Sequence, residues 1–177
     1  EAVTHITNTI SKQFEQHGGR VIKKLGDGVL ALFNDGQSAV RAVVDLQRYH
    51  SKLKVRGPAV QFLPIRIGLA SGDVEIVDND CYGDAVNVAA RLCDLCGPNQ
   101  IWANAMSLNA VDEAYGVNFR ILGPINIRGR AEPCVVYQIE WHEEEPSDFL
   151  TMHGSLDGGS QAPESDILGR EIELGWM

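Results

Sequence analysis

The 177-residue sequence has few basic residues and no long apolar run. No stretch approaches the roughly 18 to 20 apolar residues that a membrane span needs, and Glu1 opens a polar segment unlike a signal peptide. Fifteen Lys and Arg stand against 24 Asp and Glu, and this net charge of −9 opposes the electrostatic attraction on which nucleic-acid binding depends. We therefore expect a cytoplasmic protein with no membrane span and no nucleic-acid partner.

Cysteine is also scarce, with four residues in the chain. Cys93 and Cys96 form a CxxC pair, but no second pair and no histidine lies at the spacing of a zinc site. We expect free thiols packed in or near a helix, as in a reducing compartment. The length suits one domain with a sizeable core, and the 44% hydrophobic content is typical of a globular protein.

Hydrophobic periodicity predicts alternating helices and strands over the first 141 residues. The predicted helices cover residues 3–14, 39–53, 83–96 and 105–116. The predicted strands form a hairpin over 21–33, a second pair over 63–77 turning at 71–73, a short strand at 100–104 and further strands over 118–141. Residues 52–60 and the acidic stretch 78–84 are expected to be loops. This order indicates an α+β sandwich with a mixed or antiparallel sheet.

The character of the chain changes after residue 141. Residues 142–166 are acidic and rich in Gly, Ser and Pro, which is typical of a linker. Residues 167–177 regain apolar side chains and could begin a further domain. A phosphopeptide-binding module of the FHA type is one weak alternative there, since only a lone Gly-Arg supports it.

The predicted helix that starts near residue 83 has two contrasting faces. One face is a stripe of small and branched residues: Ala85, Ala89, Leu92 and Cys96. The other face carries polar residues at spacings of three, four and three: Asp84, Asn87, Arg91 and Asp94. An amide and a guanidinium one turn apart could cap or pair with neighbours, or could bind a ligand.

Other polar residues stand at suggestive spacings but are not specific when taken singly. Lys23 lies four residues before Asp27, which sits between two glycines at a hairpin tip where a carboxylate can approach a ligand. Asp80 lies seven residues before Asn87, and Arg128 and Arg130 bracket Gly129. Each has an ordinary structural explanation as a turn, an exposed residue or a salt bridge. Their joint order carries the functional argument.

Four segments in unbroken order resemble the class III nucleotidyl cyclase catalytic domain, the adenylate and guanylate cyclase family. They are VIKKLGDGVLALF, IRIGLASGDV, DCYGDAVNVAARL and INIRGRAEPCVVYQI. The similarity covers about residues 2–140. It implies a ferredoxin-like βαββαβ core that works as a head-to-tail homodimer, with ATP bound at sites on the subunit interface.

The resemblance also implies roles for individual residues. Asp27 resembles one of two aspartates that bind two divalent cations, Mg²⁺ or Mn²⁺. The other aspartate belongs to a first-strand motif of the DIxGFT type, which is absent here. Because the sequence starts in mid-helix, we expect that first strand to be missing from the chain, which as given would then supply only one of the two metal-binding aspartates.

The remaining roles concern the nucleotide itself. Lys23 and Asp80 resemble the pair that recognises the base. Asn87 and Arg91 resemble residues that orient the ribose and stabilise the transition state. Arg128 stands where a triphosphate-binding lysine is usual, and it keeps the charge with a bidentate fork.

The identity of Lys23 and Asp80 favours adenine as the base. Adenine offers an amine donor and the N1 acceptor, which an aspartate and a lysine complement. Guanine presents the opposite pattern and would favour Glu in place of Lys23. The sequence thus predicts an adenylate cyclase. The alternatives are a guanylate cyclase, a catalytically silent cyclase-like regulatory module, and a ferredoxin-like RNA-binding module, which would need a basic face and aromatic strands.

Overall fold

The computed structural model describes residues 2–56, 63–112, 116–142 and 170–176. The helices in these ranges are α1 (Ala2–Gln16), α2 (Gly36–Arg56), α3 (Asp84–Leu95) and α4 (Ala105–Leu108). The strands are β1 (Arg20–Leu25), β2 (Gly28–Phe33), β3 (Ile65–Ser71), β4 (Glu75–Val77), β5 (Asp80–Tyr82), β6 (Ile101–Asn104), β7 (Asn118–Ile125), β8 (Cys134–Glu140) and β9 (Arg170–Trp176). No helix in the described ranges is long and apolar enough to cross a membrane.

Seven strands form one mixed sheet in the order β1-β2-β9-β3-β6-β8-β7, and β4 and β5 form a separate two-stranded ribbon. The β1-β2 pair is antiparallel, as predicted for the hairpin over 21–33, and the β7-β8 pair is antiparallel as well. Strand β2 leads through α2 to β3, and one strand lies between β2 and β3 in the sheet. The predicted α+β architecture is therefore confirmed.

The strand between β2 and β3 is β9, which comes from the C-terminal end of the chain. It pairs in parallel with both neighbours, so that Ile172 lies opposite Val29 on one side and Ile67 on the other. The pattern of residues 167–177 predicts only the possible beginning of a further domain and does not anticipate this strand. The linker prediction for 142–166 falls almost entirely outside the described residues, and the domain limits stay predictions.

The sheet is covered on both faces by helices. Along β2, Val29, Ala31 and Phe33 pack in one buried cluster, whereas Leu30 and Leu32 pack in another. Since successive side chains of a strand point to opposite faces, the two clusters lie on opposite sides of the sheet. The first cluster includes residues of α1 and α2, and the second includes residues of α3.

Helix α3 lies unusually close to β3 at Gly68. A Cβ atom placed there would be 2.0 Å from the carbonyl oxygen of Ala89 and 2.5 Å from the backbone nitrogen of Cys93. Only glycine therefore permits this short separation between α3 and β3.

The predicted apolar stripe of α3 is confirmed, because Ala89 and Leu92 are fully buried. The four cysteines are buried free thiols, as predicted.

One strand pairing predicted from the sequence is wrong. The segment 63–77 does not form a hairpin, because β4 pairs with β5 rather than with β3. The turn that joins β4 to β5 consists of Asp78 and Asn79, which have φ values of 49° and 63°. Asp and Asn tolerate this left-handed conformation, which two-residue hairpin loops require. The prediction of a simple loop over 78–84 therefore misses both this turn and the strand that follows it.

Two helix predictions need smaller corrections. Helix α4 ends at Leu108, well short of the predicted residue 116, and residues 113–115 lie outside the described ranges. The periodicity of α2 predicts a buried apolar stripe through Tyr49 and Leu53, but these side chains are 42% and 46% exposed. The buried part of the stripe therefore ends near His50, which is 7% exposed.

Candidate active site

Lys23 on β1 and Asp80 on β5 form the best defined contact among the predicted site residues. The Lys23 Nζ donates to both carboxylate oxygens of Asp80 at 2.8 Å. The backbone N–H of Cys81 donates to Asp80 Oδ1, also at 2.8 Å. The structure thus brings together the two residues that the resemblance assigns to base recognition.

This contact changes the acidity of both groups. The hydrogen bond from Lys23, and after it the one from the Cys81 backbone, lowers the pKa of Asp80 below its ordinary value of 3.8. The hydrogen bond to Asp80 raises the pKa of Lys23 above 10.5, against a smaller opposing effect of desolvation. At neutral pH, Lys23 is therefore a cation and Asp80 is an anion.

Both groups keep capacity for a ligand. An ammonium has three N–H donors, of which Asp80 takes at most two, and a carboxylate accepts about four hydrogen bonds, of which three are made here. The side chains of Lys23 and Asp80 are 39% and 31% exposed, so a ligand can reach them. The pair therefore presents one donor and one acceptor side by side.

Asn87 and Arg91 lie one turn apart on the exposed face of α3. The Arg91 Nη1 is 3.2 Å from Asp94 Oδ2, and the side chains in this pair are 50% and 41% exposed. An exposed pair of this kind is weak, so an incoming phosphate could redirect the guanidinium at little cost. The two-faced helix predicted from the sequence is present, with its polar face towards solvent.

Asp27 lies at the tip of the β1-β2 hairpin, where Leu25 pairs with Gly28. Gly26 has a φ of 63°, which supplies the left-handed position that the two-residue loop needs. The Asp27 side chain is exposed. Within the described ranges, no three His, Cys, Asp or Glu side chains are placed to hold a metal ion.

Arg128 and Arg130 belong to the turn between β7 and β8. The Arg130 N–H donates to the Ile127 carbonyl oxygen at 3.1 Å, and Gly129 adopts a φ of 93°. Arg128 is exposed and has no ion pair among the described residues. Arg130 points back to α3, where its Nη1 is 3.2 Å from Asp84 Oδ2.

A cavity of about 680 Å³ lies beside this last ion pair. Asp84 and Arg130 line it, together with Ser71, Tyr82 and Asn104. None of the six predicted site residues lines this cavity. The sequence shows Asp84 and Arg130 near predicted site residues, but it gives no sign that they touch.

Comparison with known proteins supports this fold. No model of a protein family matches the chain. A solved adenylate/guanylate cyclase/hydrolase from Silicibacter pomeroyi is 31% identical, with a TM-score of 0.68 over 74% of this chain and 78% of its own. The adenylyl cyclase CyaB from P. aeruginosa is 19% identical, with a TM-score of 0.60 over 77% of this chain and 79% of its own, and supports the fold alone.

Curated sequences show the same relationship. Putative adenylate cyclase 3 of Rhizobium meliloti is 38% identical over 85 residues, which is 48% of this chain and 14% of that protein. An uncharacterised Mycobacterium tuberculosis protein is 30% identical over 145 residues, covering 78% of this chain and 47% of its own. The chain thus spans less than half the length of these curated relatives. It belongs to the class III adenylate/guanylate cyclase family.

Proposed function

We propose that this domain is an adenylate cyclase, which converts ATP into 3′,5′-cyclic AMP and pyrophosphate. The observation that carries the proposal is the Lys23–Asp80 pair, whose Nζ and carboxylate stand 2.8 Å apart with both groups ionised. Lys23 would donate to adenine N1, and Asp80 would accept from the exocyclic amine. Guanine would place a donor against the lysine and an acceptor against the carboxylate.

The reaction forms a bond between the ribose 3′-oxygen and the α-phosphorus and breaks the bond from that phosphorus to the oxygen that bridges to the β-phosphate. The 3′-hydroxyl proton is lost, and pyrophosphate leaves with the bonding electrons. Negative charge grows on phosphate oxygens during this transfer, so fixed cations there stabilise the transition state. We assign this role to Arg91, whose guanidinium presents several N–H donors in a fork that matches phosphate oxygens.

Two other side chains would hold the substrate in place. Asn87, one turn before Arg91, would hydrogen-bond the ribose and orient its 3′-hydroxyl. Arg128 would bind the β- and γ-phosphates, and its exposure and lack of an ion pair among the described residues support that assignment. A guanidinium fork suits phosphate oxygens at least as well as the ammonium of the usual lysine.

The described residues do not by themselves fit a site for two divalent cations. Asp27 supplies one exposed carboxylate, and no cluster of three potential ligand residues accompanies it in the described ranges. Two metal ions of the Mg²⁺ or Mn²⁺ type need several oxygen ligands. We propose that Asp27 is one of these ligands, and the others must come from outside the described part of this single chain.

We further propose that the site is completed by a second copy of the domain in a homodimer. Asp27, Asn87, Arg91 and Arg128 are exposed, Lys23 and Asp80 are partly exposed, and none of these six proposed site residues lines the cavity in the single chain. A nucleotide held by these groups would need a second protein surface to enclose it. In this arrangement Asp27 of one subunit would serve the nucleotide bound by Lys23, Asp80, Asn87 and Arg91 of the other.

The proposed activity is tested by assaying the purified full-length protein with Mn²⁺ and either ATP or GTP. We expect cyclic AMP to form from ATP far faster than cyclic GMP forms from GTP. A preference for GTP would indicate the guanylate cyclase alternative, and equal rates would contradict the argument from Lys23 and Asp80. No product from either nucleotide would favour the silent regulatory module.

A further inference from the structure

The ion pair between Arg130 and Asp84 joins the two segments that carry the proposed phosphate-binding cations. Asp84 is the first residue of α3, and Arg130 ends the turn that contains Arg128. The distance from Nη1 to Oδ2 is 3.2 Å. The proposed base, ribose and phosphate contacts use neither of these two residues, so the ion pair requires its own explanation.

The turn is attached to the rest of the fold at both of its ends. Ile127 is 4% exposed and packs in the same buried cluster as α3 residues. Arg130 closes the turn through its backbone hydrogen bond to Ile127 and holds Asp84 through its side chain. The position of Arg128, which lies between these two attachments, therefore follows the position of Asp84.

The start of α3 is itself firmly located. Gly83 precedes the helix, and a Cβ atom at that position would lie 2.4 Å from the backbone oxygen of Asp73. Gly83 offers no side-chain cap, so the carboxylate of Asp84 is the anionic group in the first helical turn, where the helix dipole favours negative charge. Asn87 and Arg91 follow three and seven residues later on the same face.

We propose that Arg130 is a positioning residue, which sets the distance between Arg128 and the α3 face that carries Arg91. The inference rests on the proposed cyclase function, because its consequence is the correct spacing of two cations along one triphosphate. A misplacement of about 1 Å can cost about a hundredfold in rate. The pair is partly exposed, with side chains 35% and 64% accessible, so it contributes little to fold stability.

The test compares Arg130→Gln, Asp84→Asn and the double variant in the full-length protein. We expect each single variant to lower kcat/KM for ATP by about 10- to 100-fold, and the double variant to be no worse than the poorer single variant. Arg130→Lys should keep much of the activity. Melting temperatures should stay within about 3 °C of wild type. Arg120→Gln, which removes an exposed 3.7 Å contact to Glu140 and an exposed 2.7 Å hydrogen bond to Gln138, is the matched control and should leave kcat/KM for ATP unchanged.

Binding gives a second readout that does not depend on turnover. 3′-Deoxy-ATP lacks the attacking hydroxyl, so it can occupy the site without being cyclised. We expect Arg130→Gln and Asp84→Asn to weaken its binding by about fivefold or more, and by similar amounts, because each breaks the same contact. A merely structural ion pair would shift the melting temperature without changing this affinity.

The outcomes separate this inference from the proposed function. An active wild type whose Arg130→Gln variant keeps full kcat/KM and affinity would overturn the positioning role and leave the cyclase assignment intact. Losses of kcat/KM that add up in the double variant would also overturn the positioning role. If Asp84→Asn instead tightened 3′-deoxy-ATP binding, Arg130 would be a direct phosphate ligand and not a positioning residue. A wild type that is inactive and does not bind 3′-deoxy-ATP would contradict both proposals. A wild type that is inactive but binds 3′-deoxy-ATP, with similar and non-additive losses of affinity in the Arg130 and Asp84 variants, would contradict catalysis alone.

Discussion

Lys23 and Asp80 are 57 positions apart in the sequence, yet the lysine Nζ lies 2.8 Å from both carboxylate oxygens of the aspartate. Strand β1 contributes the cation and strand β5 contributes the anion. The short β4-β5 ribbon places Asp80 beside strand β1 of the β1-β2 hairpin. The proposed base-recognition pair is therefore formed within one chain.

Reversing the hydrogen-bond pattern of this pair should weaken the use of ATP. Lys23→Glu combined with Asp80→Cys removes the donor for adenine N1 and the acceptor for its amine, so kcat/KM for ATP should fall by about tenfold or more. A full change to GTP is not expected, because other groups of the pocket contribute. Lys24→Glu is the control, since Lys24 is exposed on the same strand and contacts Asn8. An unchanged ratio of ATP to GTP activity would contradict base recognition by this pair.

The same pair should leave a signature in the pH dependence of stability. The pKa of Asp80 is lowered below 3.8, so its contribution is present above that value and is lost as the pH falls through the lowered pKa. The pKa of Lys23 is raised above 10.5, so its contribution is present below that value and is lost as the pH rises through the raised pKa.

The difference in unfolding free energy between wild type and Asp80→Asn should accordingly be constant from about pH 5 to 9 and shrink towards both extremes. Urea denaturation at a series of pH values measures it. A difference that changes steeply near neutral pH would mean that another titrating group controls the contact.

Arg91→Ala should lower turnover by about a hundredfold or more while leaving the fold nearly intact, because the guanidinium is proposed to act on developing charge. Its only described ion pair, with Asp94, is half exposed and contributes little stability. Steady-state kinetics and thermal unfolding measure the two effects, with Arg120→Ala as a surface control. A melting temperature that collapses together with the activity would instead identify a structural salt bridge.

Gly68→Ala should destabilise the protein by about 1 to 3 kcal/mol, because the added methyl group would push α3 away from β3. The contacts at 2.0 and 2.5 Å are with backbone atoms, which cannot rotate aside. Gly72→Ala is the comparison, since its Cβ would lie 3.1 Å from the Cβ of Ala85 and no closer than 3.9 Å to a backbone atom of that residue. Equal stability losses for the two variants in denaturant unfolding would contradict the tight helix–strand contact.

The local elements of the fold are largely predictable from the sequence, whereas the pairing of β4 and the strands β5 and β9 are not. The polar face of α3 follows from spacing alone, since helical periodicity fixes which residues share a face. The β4-β5 turn depends on positive φ at Asp78 and Asn79, which composition does not distinguish from an ordinary loop. The place of β9 in the sheet is a long-range pairing, and local pattern carries no information about it.

The contacts of the candidate site are only partly predictable from the sequence. The resemblance points to Lys23 and Asp80, and the structure shows that they meet. The contact between Arg130 and Asp84 escapes prediction, because each residue alone resembles an ordinary exposed charge. Tertiary structure alone shows that these two charges join the turn to the helix.

Complementation between two inactive variants tests the shared site most directly. Lys23 and Asp27 are neighbours on one hairpin, yet they are proposed to serve different nucleotides in the dimer. Asp27→Ala and Arg91→Ala should each be inactive alone, because every site then lacks one essential group. A mixed dimer has one site with both defects and one intact site.

The measurement is cyclic AMP formation after the two full-length variants are mixed and allowed to exchange subunits. With random pairing about half the dimers are mixed, so activity should recover to at most about a quarter of wild type. If subunit exchange is demonstrated and the mixture still makes no cyclic AMP, Asp27 and Arg91 do not serve a site shared between two subunits, and the proposed shared-site mechanism is wrong.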